Sequence, residues 1–166
     1  MTAFVVDTNV AVAANGRADA QADEECQLAC VEKLESVVAT EVVVIDDGGA
    51  VLEEYMGRLN LSGMPGVGDA FLRHVFNHQF TNERVRRVAV TPSKDDRRGF
   101  EELPDNTFDR SDRKFLAVAV VAGAVVLNAT DSDWREHAAL MESLAVEVSQ
   151  LCPHQASKAA PRDRSS

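Results

Sequence analysis

The stretch FDRSDRKFLAVAVVAGAVVLNATDSDW, Phe108 to Trp134, decides the fold. Ser111 is a good cap for a helix that runs to Ala122, and Gly123 is a helix stop. Ala124 to Ala129 is then a continuous apolar run of strand length. Two acids follow it, Asp131 and Asp133, and Ser132 or Asp133 caps a further helix around Trp134 to Ser143. A strand that is apolar on both faces has to be covered on both faces. That is the property of a parallel sheet sandwiched between helices.

Working outward, the same grammar recurs. Ala3 to Val6 is a short apolar strand that ends at Asp7, and EVVVID, Glu41 to Asp46, is another. Between them Ala18 to Val38 has helical periodicity, with Cys26, Cys30 and Leu34 on one side. Gly48 and Gly49 break the second strand, and Ala50 to Leu61 resumes as a helix. SGMPGVG, Ser62 to Gly68, reads as a loop, a turn and a candidate mobile lip of the site, with Asp69 as N-cap of the helix DAFLRHVFNHQF. Val85 to Val90 is a third strand, and polar loops cover Thr91 to Arg98 and Glu101 to Thr107. Leu144 to Val148 is the fifth strand. The expected fold is α/β: a three-layer α/β/α sandwich with a central, mostly parallel five-stranded sheet. One domain spans 1–152, and 153–166 reads as a disordered polar tail rich in Ser, Ala and charge.

Composition narrows the function. The 166 residues are 45% hydrophobic and 27% charged, with a formal charge of −10. The tail, with Lys158, Arg162 and Arg164 against Asp163, is net basic, so the body is more acidic still. Such a body does not coat nucleic acid by its own charge, although a bound cation reverses the field locally. Phe115 to Leu127, the longest apolar run, is too short to span a bilayer. With no secretory signal in view, the reading is a cytoplasmic protein with no membrane partner, whose Cys26, Cys30 and Cys152 are reduced thiols in a core.

The chemistry lies in the acids. Asp7 and Asp131 follow strands directly, and ligands of doubly wound sheets bind beyond the carboxyl ends of strands. Asp112 and Glu54, the latter in VLEEYMGRL, lie in helices that frame the same edge. Converging carboxylates repel unless a hard divalent cation sits among them, and Mg2+ or Mn2+ on oxygen ligands suits phosphate chemistry. No D-x-D follows the first strand, as a dehalogenase-type phosphatase would need, because Asp7-Thr8-Asn9 stands there. SGMPGVGD lacks the GK[ST] ending of a phosphate loop.

At these residues the chain resembles the PIN-domain nucleases, in a bacterial-type branch. The resemblance is carried by VVDTNV at Val5 to Val10, VLEEYMGRL, FDRSDRKFLAVAVVAG and ATDSDW, and spans Ala3 to about Leu151. It implies Asp7, Glu54, Asp112 and Asp131 as catalytic metal ligands, with Asp133 as a further or alternative one. Thr8 and Asn9 match the family's residues that orient the first acid, Asp109 is a supporting acid, and Thr130 matches a hydroxyl beside the last. Within Glu53/Glu54, Asp109/Asp112 and Asp131/Asp133 the ligand stays open. The implied activity is Mg2+- or Mn2+-dependent hydrolysis of RNA, an endoribonuclease. A toxin with an antitoxin partner is one form of such a protein, and a homodimer is a family-based expectation. The alternative is a catalytically inactive PIN-like binding or regulatory module.

Substrate needs cations. Arg110, Arg113 and Lys114 flank Asp112 and are candidates for phosphate contact; Arg84, Arg86, Arg87, Lys94, Arg97 and Arg98 form a second group. His74 and His78, four apart in a helix, lack a third ligand and read as a surface or partly buried pair. Trp134 reads as packing at the sheet edge rather than base stacking.

Overall fold

The computed structural model describes residues 1–16 and 21–154. Five strands form one sheet: β1 (Ala3–Val6), β2 (Val42–Asp46), β3 (Val85–Val88), β4 (Val125–Asn128) and β5 (Val148–Gln150). Their order is β3-β2-β1-β4-β5, and every pairing is parallel. The seven helices among the described residues are α1 (Thr8–Ala14), α2 (Glu24–Thr40), α3 (Ala50–Arg58), α4 (Val67–His78), α5 (Arg113–Ala122), α6 (Asp133–Glu136) and α7 (Ala138–Ser143).

The chain winds outward from β1 to β3, then crosses back to β4 and continues to β5. With right-handed crossovers, the reversal puts α1–α4 on one face and α5–α7 on the other. Accordingly α1, α2 and α4 pack on one another, and α5 lies across β1 to β4. This is the expected three-layer α/β/α sandwich, and its switch point lies between β1 and β4. The central strands are buried almost throughout, so they show no alternation. β3 is an edge strand, and its exposed Arg86 and Arg87 blunt that edge.

Several local readings need correction. α1 is a helix where no element is expected. Asp7 caps it, accepting from the Asn9 backbone N–H at 3.1 Å. All but one of its residues are buried, so it has no polar face to give it a period. The start expected for α2 at Ala18 lies outside the described residues, and the helix described begins at Glu24 behind the Asp23 cap. Asp69 does not cap α4 as its N-cap. Gly66 does, and Asp69, three residues on, accepts from the Gly66 N–H at 3.0 Å. The end of the SGMPGVG loop is a packing joint: a Cβ on Gly68 would stand 1.9 Å from the Ala11 carbonyl, so glycine lets α4 press on α1. β5 begins at Val148, not Leu144, because Leu144 and Ala145 close the end of α7. The helix expected over Trp134 to Ser143 is broken at His137 into α6 and α7.

The cysteines also differ from expectation. All three are buried, but Cys26 and Cys152 form a disulfide that ties α2 to the chain leaving β5. Only Cys30 is a free thiol, and burial pushes it up to about 12. A bond between positions 126 apart is set by where β5 ends, which spacing alone does not show. The tail expected to be disordered falls, beyond Pro153 and His154, outside the described residues. No helix among the described residues is long and apolar enough to cross a membrane.

Candidate metal centre at the carboxyl edge

Asp7 leaves β1 at the switch point, its backbone N–H bonded to the Leu127 carbonyl of β4 at 3.1 Å. Its side chain is 4% exposed. One carboxylate oxygen accepts from Asn9 N–H, and the other accepts from Trp134 Nε1–H at 2.7 Å. Burial raises this carboxyl to about 7; the Trp134 and Asn9 bonds oppose the rise, and the charges of Asp131 and Glu54 add to it. Trp134 thus does more than pack. It lies edge-on to Phe108, centroids 4.7 Å apart, and supplies the one buried side-chain donor to Asp7 among the described residues.

Asp112 sits at the start of α5, where its side chain makes no cap bond. It is 7% exposed. Burial, then the charge of Asp7, then the hydrogen bond and charge of Asp131, push its carboxyl up to about 10. Oxygens of Asp7, Asp112 and Asp131 all lie within 4.8 Å of one another. The loop after β4 that carries Asp131 is pinned from β1: Asn9 Oδ1 accepts from the N–H groups of Ala129 and Thr130 at 2.9 and 3.1 Å. Asn9 Nδ2 donates to Asn128 Oδ1 at 2.9 Å, and Asn128 Nδ2 donates to the Asp131 carbonyl and to Gln150, each at 2.8 Å. So Asn9 positions the opposing acid as well as its own neighbour. Thr130 takes part through its backbone.

The remaining expected acids divide. Glu54 reaches the same edge, whereas Glu53 is exposed. One Glu54 oxygen accepts from the Thr8 hydroxyl and the other holds the Lys114 ammonium at 2.7 Å. Thr8 therefore orients Glu54, not Asp7. Asp133 groups with Asp109 and Asp112 rather than with Asp7. It accepts from the Asp109 N–H at 2.9 Å and lies 3.2 Å from His137 Nδ1, and burial raises its carboxyl. Asp109 is lowered by the Ser111 hydroxyl, which donates to it at 2.7 Å. Ser111 thus supports Asp109, and Asp112 takes the N-cap position expected for Ser111.

The basic residues are mostly committed elsewhere. Arg113 is 6% exposed and corrects the phosphate reading. Its guanidinium donates to Asn106 Oδ1, to the carbonyls of Phe108 and Asn106 and, at 2.7 Å, to that of Asp96, so it holds the 96–108 loop. Arg110 is exposed, 3.8 Å from Asp96. Lys114 faces Glu54. In the second group, Arg84 bonds the Ala39 carbonyl, Arg87 lies over Phe80, Arg97 pairs with Asp95, and Arg98 holds the carbonyls of Leu103 and Glu101. His74 and His78 stack with centroids 4.5 Å apart, away from the acids, and burial lowers His74 to about 4.

No family model, no curated protein and no solved structure matches the chain.

Proposed function

We propose that this protein is a metal-dependent phosphodiesterase, an endoribonuclease of the PIN-like kind. The observation that carries the reading is the convergence of Asp7, Asp112 and Asp131 at the β1/β4 switch point, their oxygens within 4.8 Å. The donor set fits a hard divalent cation: it is all carboxylate oxygen, and two of the three side chains are buried with no basic partner of their own among the described residues to balance them. Bound there, Mg2+ or Mn2+ supplies Lewis acidity and positive charge at a phosphodiester.

The chain's own residues do the rest. Asp7, Asp112 and Asp131 hold the cation. Trp134 and Asn9 donate to Asp7 and so favour its charged form against burial. Asn9, Asn128 and Gln150 keep the Asp131 loop against β1. Water attacks phosphorus, a carboxylate of the group takes its proton, and the bond from phosphorus to the leaving sugar oxygen breaks. Of the three cations that flank Asp112, Arg110 is the exposed one, placed to meet a substrate phosphate. We place the activity in the cytoplasm, where the Cys26–Cys152 pair would be kept reduced. A fold that survives reduction is therefore part of the proposal.

The test is cleavage of a labelled mixed-sequence single-stranded RNA with Mn2+, Mg2+ or EDTA, beside the Asp7→Asn variant, with and without a thiol reductant. Metal-dependent cutting that the variant loses is the expected result. No cutting and no effect of Mn2+ on the melting temperature would replace this reading with a non-catalytic binding module.

A further inference from the structure

We infer that Lys114 supplies the second positive charge of the acidic edge, so that the edge takes one divalent cation and not two. The inference rests on the metal-site reading above. Two-cation phosphodiesterases hold their ions about 3.5–4 Å apart, and each ion needs carboxylate oxygens of its own. Here three aspartates are close enough to share one ion. Asp109 is taken up by the Ser111 N–H and hydroxyl, and Asp133 by the Asp109 N–H and by His137, so the nearby acid left for a second is Glu54. Both of its oxygens are engaged, one by the Thr8 hydroxyl and one by the Lys114 ammonium at 2.7 Å. An ammonium in that place repels a second ion as well as occupying its ligand.

Lys114 is built into this position. Its Nζ also donates to the Ser111 carbonyl at 2.6 Å, in the turn that presents Asp112. It lies 5.3 Å from the centroid of the Phe115 ring, and the side chain is 16% exposed. Its place runs against local preference. Lys114 is the second residue of α5, and a cation there opposes the positive end of the helix dipole. A local rule broken beside a cluster of acids points to a role at that cluster. Lys114 is thus a positioning residue: it fixes Glu54 across from Asp7 and sets how many ions the site accepts.

The experiment is Mn2+ titration of the full chain by calorimetry, with free Mn2+ followed by electron paramagnetic resonance. One ion per chain is expected for the wild type and for Lys114→Arg, and two for Lys114→Met. Glu54→Gln, which leaves the three aspartates intact, should still bind one ion within about threefold of the wild-type affinity. Two ions on the wild type overturn the inference and leave the metal-site reading standing. So does a single ion on folded Lys114→Met, or loss of the ion in Glu54→Gln. No Mn2+ on any variant overturns both.

Discussion

Asp69 and Asp112 are both buried aspartates at the start of a helix, and they are held in opposite ways. Asp69, 1% exposed, is surrounded by donors. Its carboxylate accepts from Asn15 Nδ2 and from the backbone N–H groups of Asn60 and Gly66, at 2.8 to 3.0 Å. Asp46, at the end of β2, is satisfied in the same way by the N–H groups of Ala50 and Val51. Such carboxylates knit α1, α3 and α4 together, and each of their oxygens already accepts from a donor of the fold. Asp112 caps nothing, and what surrounds it is other acids: Asp7, Asp131 and Asp109. Burial that costs free energy without recovering it in hydrogen bonds marks a site rather than a joint.

The largest expected effect lies on the acid side of that comparison. Asp112→Asn should lower metal-dependent RNA cleavage by more than about 100-fold, since even partners of a metal ligand cost about 10–100-fold. The same chemical change then has opposite signs on stability. Asp69→Asn turns a donor group either toward Asn15 Nδ2 and the Asn60 N–H or toward the Gly66 N–H, and should cost about 1–3 kcal/mol. In a domain of this size that lowers the melting temperature by about 2–4 °C per kcal/mol. Asp112→Asn replaces a carboxyl that must take up a proton to be buried there with an amide that can donate to Asp131, and should raise the melting temperature of the metal-free protein. Thermal melts of the two variants side by side check this. If Asp112→Asn also destabilises, Asp112 is a joint like Asp69, and the contrast is gone.

Trp134 tests the support of the site. Trp134→Phe keeps a ring against Phe108 and removes the donor to Asp7. Mn2+ affinity at neutral pH should fall about tenfold, roughly 1.4 kcal/mol, with little change in melting temperature. Unchanged affinity would mean that the Trp134 bond serves packing alone, as the sequence suggests.

The sheet was legible because parallel strands are buried on both faces and so read as unbroken apolar runs, and because Gly123 stops α5 where a stop is wanted. Asp7 and Asp131 were legible because each directly follows such a run. What escaped has a common cause. α1 is buried nearly all round and has no period to read. β5, three half-buried residues, is too short to outweigh the turn before it. Arg113 and Lys114 are adjacent and identical in charge, yet one holds a loop and the other holds Glu54. Only the direction of each side chain from α5 separates them. The Trp134–Asp7 bond and the Cys26–Cys152 disulfide join opposite ends of the chain, and neither exists until β4 and β5 are laid beside β1.

The smallest effect is the dependence of stability on pH, and it separates the two kinds of aspartate without any substrate. Asp7 and Asp112 bind a proton more tightly in the fold than in the unfolded chain, with folded values of about 7 and about 10. The stability they lend is therefore complete below the unfolded carboxylate range and is lost as pH rises through those folded values. His74, lowered to about 4, works the other way, but only below its ordinary value of 6.5. Between about pH 6.5 and 8 the raised carboxyls act without it, so the metal-free protein should melt a few degrees lower at pH 8 than at 6.5. Saturating Mn2+ should reverse that slope, because the ion binds the deprotonated ligands and is itself bound more tightly as pH rises. Asp112→Asn should flatten the metal-free slope, since it removes the carboxyl with the higher folded value. A slope that survives this change unaltered would move the pH dependence away from the acidic edge, and with it the claim that Asp112 is buried at a cost.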